Sequence, residues 1–309
     1  MEYIILVIGF ILLIKGADWF VSGASGMAAW LRVPAVIIGL TIVAMGTSAP
    51  EMSVSIVGAL QGKSGISVGN IIGSNLFNIL CVGALAAIIM PMRVDNLLIK
   101  RDIPLSLLAT VLFLICAWAG DLGRLDGILL LLLFAIFLAF MFKDARQARK
   151  TSPAVDKAAL PPVWRCIVLI ILGLAGVILG GEFVVRSATA IALNFGLSQS
   201  LVGLTVVALG TSLPELVTTL VAAKKGESDI AMGNIIGSNI FNLALVLGVA
   251  ATIKPMSVEG FVLIDTVFLI AITVLLLFFV WRDRKIQRWQ GVLLFLLYVG
   301  YLIYIINRG

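Results

Sequence analysis

The chain has 309 residues, of which 61% are hydrophobic and only 12% charged, with a mean hydropathy of +1.16; a soluble fold of this length could not bury so much apolar side chain. It contains no histidine, which excludes imidazole metal ligands and histidine proton relays, and its three cysteines, Cys81, Cys116 and Cys166, read as small apolar filler rather than a disulfide framework. The net charge of +6 does not mark a nucleic-acid surface, because most of the basic residues fall on one side of the predicted spans.

A bilayer core about 30 Å thick is crossed by about 20 apolar residues in a helix. In chain order ten segments qualify: 3–29, 34–60, 66–90, 103–119, 125–142, 164–193, 198–222, 229–252, 258–281 and 289–307. The expected fold is an all-α polytopic membrane protein. The first segment lacks a basic leader and continues into an internal repeat, so it is read as mature protein rather than a signal peptide. Between the fifth and sixth spans lies KDARQARKTSPAVDKAALPP, 143–162, read as a polar linker too short to fold alone. The connections after spans 1, 3, 5, 7 and 9 hold sixteen of the 22 Lys and Arg. By the positive-inside rule that side is cytoplasmic, with both termini outside and the linker inside a cell membrane.

Two stretches recur. GLTIVAMGTSAPE at 39–51 returns as GLTVVALGTSLPE at 203–215, and GNIIGSNLFN at 69–78 returns as GNIIGSNIFN at 233–242. The offset between the copies is constant, which divides the chain into a first five-helix repeat, 1–142, and a second, 163–309. Five spans is an odd number, so the second copy enters the membrane from the other face. Inverted repeats of this kind build secondary transporters whose substrate site lies where the halves meet.

The polar residues inside the apolar words are the candidate site. Glu51 and Glu215 lie deep in spans 2 and 7 with no Lys or Arg within a helical turn, and an ionisable group at that depth costs several kcal/mol, so function must hold it there. Asp18 and Glu182, by contrast, have Lys15 at i−3 and Arg186 at i+4 and are read as local helix pairs or end-of-helix charges, outside the site. Pro50 and Pro214 precede the glutamates and are expected to kink their helices. Thr47 and Thr211 share a face with the glutamates at i−4, Ser48 and Ser212 flank it at i−3. Asn70, Ser74 and Asn78 form an i, i+4, i+8 stripe repeated as Asn234, Ser238 and Asn242, while Asn75 and Asn239 point about 100° away, toward a neighbouring helix. Gly69 and Gly73, like Gly233 and Gly237, have the spacing of close helix packing. Glu51 and Glu215, the hydroxyls of Thr47, Ser48, Thr211 and Ser212, Ser74, Ser238 and the amides of Asn78 and Asn242 make an oxygen-rich, thiol-free pocket suited to Ca²⁺ or Na⁺, poorly to Zn²⁺ or Cu⁺, and less well to Mg²⁺. Two formal negatives in lipid need neutralising, which one Ca²⁺, two or more Na⁺ or two protons could each do, and exclusive occupancy by different cations is antiport.

The paired words GTSAPE with GNIIGSNLFN and GTSLPE with GNIIGSNIFN resemble the α1 and α2 repeats of the sodium/calcium exchanger family, within the calcium/cation antiporters. The resemblance implies exchange of Na⁺ for Ca²⁺ by alternating access, electrogenic at three for one, with spans 1 and 6 sliding as gates against the other eight. It implies Glu51 and Glu215 as central Ca²⁺ ligands. Thr47, Ser48, Ser74, Asn78, Thr211, Ser212 and Ser238 would serve the flanking sites, with the carbonyls of Ala44 and Ala208. Asn242 stands where some members, including potassium-dependent ones, carry Asp, which argues against K⁺ cotransport. Ca²⁺, Na⁺ and the bilayer are the expected partners, with no cofactor and no nucleic acid. Three other readings compete: a proton/Ca²⁺ antiporter, a cation channel, for which an inverted pair within one chain is the wrong symmetry, and an intramembrane hydrolase, for which the acid/base constellation is missing. The chain is expected not to be an enzyme.

Overall fold

The structure is a computed structural model that describes residues 1–151, 160–195 and 208–308. It is nearly all helix. In chain order the helices are α1 (Glu2–Leu31), α2 (Ala35–Thr47), α3 (Ala49–Leu60), α4 (Ser64–Ile89), α5 (Ile103–Ala117), α6 (Arg124–Thr151), α7 (Val163–Asn194), α8 (Leu213–Lys224), α9 (Ser228–Ile253), α10 (Gly260–Asp283) and α11 (Arg288–Arg308). Seven of these are long and apolar enough to cross a membrane, or eight when the bent pair α2 and α3 counts as one span. The first part of the expected span 198–222 lies outside the described residues, which resume with the short turn Ala208–Gly210 ahead of α8.

Burial separates the helices into centre and periphery. In α4 and α9, which carry the repeated asparagine words, 83% of the apolar window is buried, against 28% in α6 and α7 and 22% in α11. The polar words are thus the interior of the bundle, and the all-round apolar helices face outward. This inverts the pattern of a water-soluble protein, as a lipid surround requires. Both central helices widen to a π-helical turn at the end of their asparagine words, at Asn78–Gly83 and Phe241–Val246, so that Asn78 and Asn242 lie in it, a local defect common at functional sites.

The repeat extends further than the sequence words. Four two-residue strands, β1 (Met92–Arg93), β2 (Asp121–Leu122), β3 (Met256–Ser257) and β4 (Lys285–Ile286), form two antiparallel pairs, β1 with β4 and β2 with β3. Met92 faces Ile286 and Leu122 faces Met256. The second pair is the first moved along by the repeat offset with the partners exchanged, so each connection in one half is clipped to a connection in the other.

Helix contacts depend on glycine where backbones touch. A Cβ on Gly173 would stand 2.4 Å from the Phe20 nitrogen, one on Gly180 2.5 Å from the Leu13 nitrogen, and one on Gly16 2.6 Å from the Val177 nitrogen. The pair α1 and α7 is therefore packed backbone to backbone. Gly233 and Gly237 hold α9 against α2 in the same way, with hypothetical Cβ atoms 2.8 Å from the Leu40 nitrogen and 2.7 Å from the Ala44 Cβ. Gly69 and Gly73 have nothing within 4 Å among the described residues; the repeat offset carries 36–44 to 200–208, so the contact expected of this pair falls almost wholly outside the described residues.

Two expectations are corrected. Residues 143–151 are not linker but the last turns of α6, as a run rich in Ala, Arg, Lys and Gln favours, and Arg101 pins this end by bonding both Asp102 and Asp144; 152–159 lie outside the described residues. Asp18 pairs not with Lys15 but with Lys225 in the α8–α9 turn, at 2.8 Å. Lysine on the N-terminal side of an acid is the less favourable order along a helix, and Lys225 adds bonds to the Asp18 carbonyl at 2.8 Å and to Ser22 Oγ at 2.6 Å. Glu182 and Arg186 form no ion pair with each other; both line a cleft of about 470 Å³ beside Ala49, Pro50 and Pro214.

Candidate cation site

The expected kink is present. α2 ends at Thr47, Ser48 adopts φ −82°, ψ 6°, and α3 restarts at Ala49 with its axis turned by 49°. Ser212 adopts nearly the same conformation, φ −93°, ψ 7°, ahead of α8. Pro50 and Pro214 sit in the first turns of α3 and α8, where a missing N–H costs nothing. Glu51 and Glu215 therefore lie at helix N-termini, the end whose dipole favours negative charge.

Both glutamates are buried, at 0% and 1% exposure, and among the described residues neither has a Lys or Arg within ion-pair distance. Hydroxyls from the opposite half surround them instead. Ser48 Oγ donates to Glu215 Oε1 and Ser212 Oγ to Glu51 Oε1, each at 2.9 Å. Ser74 Oγ lies 3.4 Å from Glu51 Oε1 and 3.1 Å from Ser212 Oγ. Each carboxylate is thus met on one oxygen only. Among the described residues Glu51 Oε2, Glu215 Oε2, Asn78 Oδ1, Asn242 Oδ1 and Ser238 Oγ are all buried without a partner. Four of these five can only accept, and a buried acceptor without a donor costs about 1–3 kcal/mol. Cations are the species such a set of oxygens suits.

Thr47 and Thr211 stand one step further out. Thr47 Oγ1 donates to Asn234 Oδ1 at 3.0 Å, with the carbonyls of Val43 and Ala44 at 3.1 and 3.3 Å, and Thr211 Oγ1 is 3.4 Å from Asn70 Oδ1. The Ala44 carbonyl also accepts from the Ser48 N–H at 3.0 Å. Ala208 opens the turn at the edge of the described residues.

Sequence reasoning left four asparagines out of the site. Asn70 donates to Ser55 Oγ at 3.1 Å and Asn234 to Thr219 Oγ1 at 2.9 Å; Ser55 and Thr219 follow Glu51 and Glu215 by one helical turn, a signal the repeat offset already carried. Asn75 and Asn239 do point to a neighbouring helix, each to the other's, and they contact Asn242 and Asn78 there. A cleft of about 510 Å³ leads from Ser74, Thr211 and Ser212 to the ion pair of Asp265 and Arg308. Among the described residues there is no cluster of three or more His, Cys, Asp or Glu, so the charge here is two carboxylates and the remaining ligands are neutral oxygens.

A helical membrane bundle that buries two such carboxylates, without a fixed counter-charge, at the meeting of two repeats belongs to the class of cation transporters. Comparison with known proteins gives the family. Residues 1–143 and 166–307 match the sodium/calcium exchanger protein family, and the chain belongs to it. Among its relatives are CaxA of Alkalimonas amylolytica, 42% identical with 96% of each chain covered, and the sodium/calcium exchanger MaX1 of Methanosarcina acetivorans, 33% identical over 98% of this chain and 97% of MaX1. The solved sodium-calcium exchanger NCX_Mj, soaked with Na⁺ and Sr²⁺, superposes with a TM-score of 0.87 at 37% identity, covering 98% of this chain and 97% of its own.

Proposed function

We propose that the chain is a secondary antiporter exchanging Na⁺ for Ca²⁺ by alternating access, with Glu51 and Glu215 as the central Ca²⁺ ligands. The observation that carries this reading is that five of the eight buried side-chain oxygens without partners among the described residues belong to residues singled out from the repeats. One Ca²⁺ neutralises both carboxylates and satisfies the amide oxygens together. Displacing it requires more than one Na⁺, so occupancy by the two ions is exclusive. Ser48, Ser74, Ser212 and Ser238 contribute hydroxyl oxygens, and Thr47, Thr211, Ala44 and Ala208 form the flanking Na⁺ positions. Asn242 supplies no charge, so K⁺ is not carried. Three Na⁺ for one Ca²⁺ makes the cycle electrogenic.

The chain crosses the membrane ten times as two inverted halves, 1–142 and 163–309, both termini outside and 143–162 cytoplasmic. The crossed strand pairs and the exchanged serine to glutamate bonds support the two-fold relation. α1 and α7, joined backbone to backbone, move as one unit. In that orientation the Asp18 to Lys225 tie is on the cytoplasmic side, and the cleft ending at Arg308 opens outward.

The test is ⁴⁵Ca²⁺ uptake into proteoliposomes loaded with Na⁺ and diluted into Na⁺-free buffer. Uptake that needs the outward Na⁺ gradient and is lost in Glu51→Gln and Glu215→Gln is expected. Uptake that ignores Na⁺ and follows a pH gradient would replace Na⁺ by H⁺ in this reading.

A further inference from the structure

Resting on the cation-site reading above, we infer that Asn75 and Asn239 are positioning residues that fix which end of the Asn78 and Asn242 amides faces the ion. The four side chains are buried, at 0–1% exposure, where α4 crosses α9. Asn75 Nδ2 donates to the backbone carbonyl of Asn239 at 3.1 Å, and Asn239 Nδ2 returns to the carbonyl of Asn75 at 3.4 Å. A carbonyl can only accept, so the amide nitrogen of each residue is committed to it and the amide oxygen must point the other way. There it meets the ligand asparagine of the opposite helix: Asn242 Nδ2 donates to Asn75 Oδ1 at 2.9 Å and Asn78 Nδ2 to Asn239 Oδ1 at 3.1 Å. Asn242 Nδ2 is also 3.2 Å from Ser74 Oγ.

The consequence is a chain of forced choices. With their nitrogens held, Asn78 and Asn242 can only turn Oδ1 away from the quartet, and those two oxygens are buried without a partner. Turning either ligand amide over would set nitrogen against cation and oxygen against oxygen. Turning Asn75 over would set its oxygen against the Asn239 carbonyl and its nitrogen against that of Asn242. An amide is a cation ligand only one way round, whereas a carboxylate offers oxygen either way. The quartet is therefore what makes a neutral asparagine at position 242 a dependable ligand.

This gives a double-mutant cycle that packing alone does not mimic. Ca²⁺ affinity is measured by ⁴⁵Ca²⁺ equilibrium binding to the purified full-length protein, with Na⁺ as competitor. Asn75→Ala is expected to weaken Ca²⁺ binding about tenfold or more when residue 242 is Asn, because the amide is free to turn. In the Asn242→Asp background the same change is expected to cost less than about twofold, or to improve binding by removing the contact of two oxygens. Asn239→Ala tested with and without Asn78→Asp is an independent arm on the other half of the quartet, and Asn75→Ser replaces Asn75→Ala if the latter does not fold. Equal losses in both backgrounds would overturn the positioning role. Wild-type protein that binds Ca²⁺ and shows the cycle yet performs no Na⁺-driven uptake would instead overturn the exchange reading alone.

Discussion

Ser48 reaches across the molecule to Glu215, its Oγ 2.9 Å from Oε1, while the equivalent serine of the other half, Ser212, makes the same bond to Glu51. Each glutamate is therefore oriented by the helix break of the half it does not belong to. The two carboxylates cannot be set independently, which suits the proposed binding of one divalent ion between them.

Removing Ser48 takes the donor from Glu215 Oε1, and removing Ser212 leaves Glu51 Oε1 only the longer contact of Ser74 Oγ at 3.4 Å. Ser48→Ala and Ser212→Ala are each expected to lower apparent Ca²⁺ affinity by about fivefold to a hundredfold, corresponding to about 1–3 kcal/mol, with folding retained. Uptake titrated against Ca²⁺ concentration checks this; unchanged affinity in both variants would remove the serines from the site.

Neutralising a carboxylate acts differently. Glu51→Gln or Glu215→Gln halves the charge available to a divalent ion while keeping shape, and binding is expected to fall by about a hundredfold or more. Protein stability without Ca²⁺ is expected to hold or rise, since an unpaired buried charge has gone. Thermal melts with and without Ca²⁺ read both effects: the wild type should gain stability on adding Ca²⁺ and the variants should not.

An exchange of three Na⁺ for one Ca²⁺ moves one net charge per cycle, which is worth about 2.3 kcal/mol per 100 mV. The steady-state Ca²⁺ ratio across a vesicle is then expected to change by about fiftyfold when the membrane potential is stepped by 100 mV at fixed Na⁺ gradient. A ratio that ignores the potential would make the stoichiometry two for one.

The glycines test the close helix contacts. Gly173→Ala forces a Cβ to 2.4 Å from the backbone nitrogen of Phe20, which neither helix can yield without separating, and a loss of about 1–3 kcal/mol or more is expected. Gly237→Ala sets a Cβ 2.7 Å from the Ala44 Cβ and 2.8 Å from the Leu40 carbonyl oxygen, and a comparable loss is expected. Melting temperatures of both variants should fall, and an unchanged value in either would remove that close contact from the packing.

Much of this protein is legible in one dimension. Hydropathy marks a membrane protein because lipid replaces water as the surround. A constant offset marks two copies of one design, and polar words inside apolar runs mark the site, because burying Glu51, Glu215 and the asparagines is too costly without a role. The oxygen-only chemistry of the pocket follows from the residue types alone. What only the tertiary structure decided are relations between residues far apart in the chain. Ser48 serves Glu215 and not Glu51, Asp18 takes Lys225 and not Lys15, and Asn75 and Asn239 lock amides on each other's helices. Gly233 and Gly237 are packed against α2. Helical periodicity tells which residues share a face of one helix, but the partner of that face is set by how the two halves pack against each other, and no local pattern encodes that choice.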